Sequence, residues 1–246
     1  MLFFNQKQKV LEEEIEQKDT FVASIVHDLK NPLLAHKRIL ENIIKKSDDI
    51  FVKENCKQIL TSTRLMLEMV LSISDTYRYD KGKIKYNFQE VNLFDLTKEV
   101  CLELSSLTSE EDCINIKTTK LPVIKADKFH IRRVISNLIS NAIKYKTEDS
   151  IITVEIYSSG KFVCFQVTNT GTFIPPNVQK SLFQKYFCKN SRFNSHSSGL
   201  GLYLSNQIIK GHYGKMHIIS SPDGKNTFGF TIPAQRDIAA RIKSIS

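Results

Sequence analysis

From about Gln8 to Lys46, apolar residues recur at helical spacing (Leu11, Ile15, Val22, Val26, Leu29, Leu33, Leu40, Ile43), with Glu12, Glu13, Glu14 and Lys18 on the opposite face. This spacing predicts one long amphipathic helix. The polar run Lys46-Ser47-Asp48-Asp49 interrupts it. In the helix predicted next, Val52, Cys56, Ile59, Thr63, Met66, Val70, Ile73 and Tyr77 step alternately by four and three, the a/d seam of a coiled coil or bundle. An antiparallel hairpin of two such helices cannot cover its own apolar stripe. The pattern therefore predicts that two copies pair as a dimeric four-helix bundle.

After Asp80-Lys81-Gly82-Lys83 the period changes. Short candidate strands at 85–88, 114–117, 151–157, 162–168, 215–220 and 227–232 alternate with helices at 93–107, 128–145 and 199–210, which predicts a second, α+β domain. Asn92 and Asp127 stand where N-caps belong. The domain reading is a helical linker over 1–19, a helical domain over 20–83, an α+β domain over 84–234 and a tail over 235–246.

Composition narrows the classes without choosing among them. At 246 residues, 41% hydrophobic and 25% charged, the chain is globular and long enough for a sizeable core. Its five cysteines are scattered, with no CxxC pair, and read as thiols of a reducing compartment. No apolar run reaches the ~18–20 residues of a membrane span, so no membrane segment is expected within the chain. The formal charge of +9 comes from lysines spread over the whole length, without a basic run interleaved with aromatics, so no nucleic-acid partner is expected.

Candidate chemistry begins on the first helix, in the run FVASIVHDLKNPL from Phe21 to Leu33. On helical geometry His27 lies about 100° from Val26 and shares a face with Lys30, Asn31 and Leu34, beside the seam and accessible. An imidazole is nucleophilic only when neutral, and Asp28 is adjacent to orient the ring or take its other proton. Pro32 removes a helical donor and costs about 3 kcal/mol unless the helix bends, which predicts a kink. His36 falls on the seam and is expected to be packed. The run closely resembles the H-box of histidine kinases. That resemblance implies His27 as phospho-acceptor, Asp28 as acid/base helper and Asn31 as the residue that positions a water for the reverse hydrolysis.

The predicted helix over 128–145 carries Asn137 and Asn141 one turn apart, pointing the same way. Two carboxamides on an otherwise apolar helix are costly if buried without partners, and Mg²⁺ prefers hard oxygen ligands. The stretch from Arg132 to Tyr145 resembles the N-box of GHKL-type ATPases. It implies Asn141 as the Mg²⁺ ligand, Asn137 as a phosphate-side support, Lys144 as a cation near the phosphates and Tyr145 as a nucleotide contact.

Val167 to Pro175 occupies the place of the G1 box, usually DxGxG followed by IP. Gly171 keeps the first glycine, Phe173 replaces the second, and Asn169 stands in place of the aspartate that accepts from the adenine amino group. A carboxamide oxygen still accepts, without charge-assisted strength. Ser181 to Phe187 resembles the F-box, and the polar stretch from Cys188 to Ser198 suits a mobile lid in which Lys189 and Arg192, with Lys185 just before it, are candidate phosphate contacts. Ser197 to Leu204 resembles the G2 box, whose Ser198, Gly199, Leu200, Gly201 and Leu202 are the expected nucleotide contacts; glycines at a loop-to-helix junction let backbone amides approach phosphate.

The order H-box, N-box, G1, F-box and G2 covers about Thr20 to Pro233. The chain is identified by this resemblance as a sensor histidine kinase catalytic core, a dimerisation and phosphotransfer hairpin followed by an α+β sandwich of the GHKL ATPase type. The resemblance implies ATP and Mg²⁺ as cofactors, autophosphorylation of His27 and transfer to the receiver-domain aspartate of a response regulator. It further implies a homodimer in the cytoplasm, free or as the cytoplasmic part of a membrane-bound sensor. The alternative from another class is a non-catalytic or phosphatase-only scaffold with a weakened ATP site, motivated by Asn169 and Phe173.

Overall fold

The computed structural model describes residues 2–80, 84–105, 113–119, 123–185, 187 and 199–234. The chain divides into two compact units, Met1–Lys83 and Ile84–Ser246. Among the described residues, no helix is long and apolar enough to cross a membrane. The predicted tail over 235–246 lies outside the described residues.

In the first unit, α1 (Leu2–Lys46) and α2 (Ile50–Asp80) pack as a hairpin. Helix α1 starts ahead of Gln8 and continues through Pro32. The connection is short because Asp49 caps α2, its Oδ1 accepting from the backbone N–H groups of Phe51 at 2.8 Å and Val52 at 3.2 Å. Leu40 of α1 forms a buried cluster with Cys56 and Leu60 of α2, flanked by Ile44 and Val52.

The predicted seam divides into two sets. Cys56, Thr63 and Val70 are buried, whereas Ile59, Met66 and Ile73, which alternate with them, are 54%, 46% and 44% exposed. On α1, Val26 and Leu40 are buried, while Ile25, Leu29 and Ile39 are exposed. One set of the a/d positions fills the hairpin and the other is left facing outward. His36 is exposed rather than packed, because its position on α1 lies off the side that meets α2.

The second unit is built on a mixed five-stranded sheet of order β2-β4-β5-β7-β6. Its strands are β2 (Ile114–Thr118), β4 (Ile152–Ser159), β5 (Phe162–Thr170), β6 (Lys215–Ser220) and β7 (Lys225–Pro233). Strand β2 runs parallel to β4, and the remaining pairs are antiparallel. Among the described residues four helices accompany the sheet: α3 (Leu93–Ser105) packs on α4 (Lys128–Tyr145), α4 packs on β5, the short α5 (Pro176–Gln179) lies against β6, and α6 (Gly201–Gly211) packs on β6, β7 and α4. Alternation along β4 and β5 sends Ile152, Val154, Ile156, Val163, Phe165 and Val167 inward. Phe165 and Phe230 stack with ring centroids 5.0 Å apart at the centre of this core.

Residues 85–88 are not a strand. The first strand is β1 (Gln89–Val91), antiparallel to β3 (Ile124–Ala126), which is too short to show an alternation in the sequence. The segment before β1 is held by other bonds: the Asn87 N–H donates to Asp127 Oδ2 at 2.8 Å, and the rings of Tyr86 and Phe88 lie 4.7 Å and 5.1 Å from that of His212. Asp127 also caps α4, its Oδ1 accepting from the His130 N–H at 3.1 Å, and its own N–H donates to His212 Nε2 at 3.0 Å. Asn92 caps α3 through Phe94 and Asp95. A single buried aspartate and the imidazole that closes α6 thus fasten the start of one helix to the end of another.

Candidate functional site

On α1 the side chains of His27 and Asp28 are 71% and 72% exposed. His27 Nδ1 lies 3.2 Å from Asp28 Oδ1, and Asn31 Nδ2 lies 3.2 Å from His27 Nε2. Ser24 Oγ donates to Asp28 Oδ2 at 3.5 Å, steadying the carboxylate from one turn back. With its NH₂ turned toward Nε2, the Asn31 amide donates to that nitrogen, the arrangement that suits a neutral ring carrying its proton on Nδ1, toward Asp28. Spacings of one and four residues on a helix are enough to bring all three groups together.

In the second unit, the end of α4 meets the end of β5, whose last residues pair with the start of β7, while the start of α6 lies against Asn137 in the middle of α4. Strands β5 and β7 set Asn169 opposite Asn226 in register. Gly171 N donates to Gly224 O at 2.8 Å, and Thr147 N donates to Thr170 O at 2.8 Å. A Cβ on Gly171 would lie 2.4 Å from the Tyr145 carbonyl oxygen, so only glycine lets the chain leave β5 beneath the C-terminus of α4. Asn169 is 3% exposed and its Nδ2 donates to that same Tyr145 carbonyl at 3.4 Å. Phe173 is half-buried in the following loop, which is pinned by Ile174 N donating to Ser220 Oγ at 2.9 Å.

The two asparagines of α4 differ in their bonding. Asn137 Nδ2 donates to Ser205 Oγ at 2.9 Å. Asn141, also half-buried, has no side-chain hydrogen bond to another described residue. Lys144 and Tyr145 are exposed at the end of the helix, with the Lys144 Nζ 5.3 Å from the centre of the Tyr145 ring. Gly199 has a left-handed φ of 65°, Leu200 is buried at the N-cap of α6, and Gly201 and Leu202 open the helix half-buried. Ser198, Lys189 and Arg192 lie outside the described residues, and Lys185 is half-buried.

Two residues here escaped the sequence reading. Ser205 becomes visible only as the partner of Asn137, although its place four residues after Gly201 puts it on the same face of α6. Asn226 is 3% exposed; its Nδ2 donates to Thr172 O at 3.1 Å, and its Oδ1 is buried without a hydrogen-bond partner among the described residues. Nothing short of the strand register reveals that it faces Asn169.

Residues 126–236 match the family model described as histidine kinase-, DNA gyrase B-, and HSP90-like ATPase. Over 236 residues the chain is 31% identical to the adaptive-response sensory kinase SasA of Crocosphaera subtropica, covering 92% of this chain and 62% of that protein. The chain is a sensor histidine kinase catalytic core. Full-length ShkA in complex with AMPPNP shares its fold, with a TM-score of 0.68 at 21% identity over 87% of this chain and 45% of that one. The nucleotide-free catalytic domain of the histidine kinase ThkA aligns with 61% of the chain and 98% of its own length, at 26% identity and a TM-score of 0.52. This sensor histidine kinase core spans less than two thirds of the length of the curated relative it matches. Membership of the ATPase family implies that the second unit binds ATP.

Proposed function

We propose that the protein uses ATP to phosphorylate His27 and then passes the phosphoryl group to the receiver-domain aspartate of a response regulator. The observation that supports this reading most is an exposed His27 imidazole with Nδ1 3.2 Å from the Asp28 carboxylate and Nε2 3.2 Å from the Asn31 amide. Nε2 gives up its bond to Asn31 and attacks the γ-phosphorus. The Nε2–P bond forms as the bond from γ-phosphorus to the bridging oxygen breaks, and ADP leaves with that electron pair. The proton stays on Nδ1, where the Asp28 carboxylate offsets the positive charge that the ring acquires. In the second step a carboxylate oxygen of the regulator attacks phosphorus and His27 is regenerated. Asn31, freed from the ring, is placed to orient a water for the reverse, phosphatase reaction.

At the ATP end, Asn169 offers a carboxamide oxygen to the adenine amino group, and Gly171 lets backbone approach the base. Lys144, Tyr145 and the turn Ser198-Gly199-Leu200-Gly201-Leu202 flank the phosphates in this reading. Asn141 suits Mg²⁺ by its chemistry: a hard carboxamide oxygen on a half-buried side chain with no hydrogen bond to another described residue. Mg²⁺ bound there supplies neutralisation of phosphate charge. The exposed seam residues Ile59, Met66 and Ile73 support a homodimeric four-helix bundle, since a second hairpin would cover them. We place the reaction in the cytoplasm, where ATP is available.

Asn169 favours one second reading. A neutral side chain in place of a carboxylate weakens the grip on adenine, and a scaffold or phosphatase without kinase turnover would tolerate that loss. Incubation with γ-labelled ATP and Mg²⁺ separates the two. The kinase reading expects acid-labile label on the wild type, none on His27→Gln and little on Asn141→Asp. Label that persists on His27→Gln overturns the acceptor assignment, and nucleotide binding without any label favours the scaffold.

A further inference from the structure

We infer that Asn137 and Ser205 form a clasp that fixes the phosphate-binding turn at the start of α6, and that Asn137 is a positioning residue and not itself a ligand of nucleotide or cation. The inference rests on the ATP site proposed above and assigns a division of labour within it. Asn137 Nδ2 donates to Ser205 Oγ at 2.9 Å, and Ser205 is 2% exposed, so the bond is shielded from competing water. The other side of the same carboxamide lies against Gly201. A Cβ placed there would meet Asn137 Oδ1 at 2.4 Å, Cγ at 3.2 Å and Nδ2 at 3.4 Å.

Gly201 and Ser205 stand one helical turn apart on α6, so one side chain of α4 grips both ends of the first turn. That turn carries the backbone N–H groups with no intrahelical partner, the groups that meet phosphate when a helix N-terminus binds an anion. Their direction is set by how α6 sits against α4, and the Asn137–Ser205 hydrogen bond joins the two helices at this point. Asn141, a turn further along α4, makes no such bond to another described residue. Asn137 alone is thus enough to require glycine at 201.

Titration of the intact 246-residue chain with a fluorescent ATP analogue, with and without Mg²⁺, tests the clasp. Gly201→Ala should weaken binding at least fiftyfold, because the new methyl group overlaps Asn137 Oδ1. Adding Asn137→Gly to Gly201→Ala should restore at least tenfold of that loss by removing the obstruction. Ser205→Ala should raise the KM for ATP roughly five- to tenfold, the worth of one neutral hydrogen bond, with kcat at saturating ATP within about twofold. Ser205→Thr, which keeps the hydroxyl, should recover most of the affinity. The Mg²⁺ concentration that half-saturates binding should shift in Asn141→Ala and stay put in Asn137→Ala.

If the double variant binds more weakly than Gly201→Ala alone, or if Asn137→Ala shifts the Mg²⁺ dependence as Asn141→Ala does, Asn137 is a direct ligand and the clasp is wrong. A wild-type chain that binds no ATP overturns the underlying site and the clasp together. Wild-type binding without rescue overturns the clasp alone.

Discussion

Replacing His212 by alanine removes a ring that is 1% exposed and engaged at every edge. Its Nε2 accepts from the Asp127 N–H at 3.0 Å, and its Nδ1 donates to the Ile208 carbonyl at 2.7 Å. The deletion strands a buried backbone donor, worth about 1–3 kcal/mol, and opens a cavity under Tyr86 and Phe88, worth about 2–4 kcal/mol. These terms overlap, so the expected cost is about 3–5 kcal/mol, a large share of the ~5–15 kcal/mol that holds a domain folded. Acidity should reproduce part of the effect in the wild type. Burial holds the His212 pKa below 6.5, the Ile208 carbonyl and Asp127 oppose that shift, and His130 adds to it. The unfolded chain therefore takes up a proton near pH 6.5 that the folded chain refuses. Stability is fully present above pH 6.5 and falls below it, by at most about 1.4 kcal/mol per pH unit, until the lower folded pKa is reached. Burial moves His217 the same way, adding a term of the same sign. Asp127 adds nothing in this window: burial would raise its pKa, but bonds from Asn87 and His130 more than offset that and hold it below 3.8. Urea unfolding at pH 7.5 and 5.5, followed by amide exchange in β5 and β7, measures both effects. A cost for His212→Ala below about 1 kcal/mol, or a pH dependence equal to that of the wild type, would refute the reasoning.

Gly171→Ala should destabilise the second unit by about 1–3 kcal/mol and weaken ATP binding, because the new Cβ lies 2.4 Å from a backbone oxygen that cannot swing aside; thermal unfolding and a nucleotide titration check it. Ile59→Glu, at a position 54% exposed, should convert a dimer to a monomer in sedimentation while far-UV circular dichroism keeps its helical signal. Val70→Glu, at a buried position of the same seam, should instead lose helical signal, since it places a charge inside the hairpin. Equal behaviour of the two variants would contradict the split seam.

Long periodic elements were legible because their periodicity extends over several turns or strand pairs. The helix over 128–145 and the strand over 215–220 end where their patterns end. Strand β3 was not legible, since three residues carry no alternation, and residues 85–88 misled because their alternating aromatics serve an imidazole cluster instead of a sheet. At the site, His27, Asp28 and Asn31 could be read from spacing, as one helix brings them together. Ser205 and Asn226 could not, because their partners lie 68 and 54 residues away and meet them only through packing and strand register. The same limit applied to the a/d seam: period shows which residues are apolar, but not which half of them the partner helix covers.

The central claim is that phosphate from ATP reaches His27 through Nε2, with the proton retained on Nδ1 beside Asp28. Protein phosphorylated with ATP and Mg²⁺, digested at alkaline pH and examined by heteronuclear magnetic resonance of the His27 peptide, tests it directly. A single phosphohistidine with the N–P bond at Nε2 is the expected result. Phosphate at Nδ1, or on a residue other than His27, would contradict it.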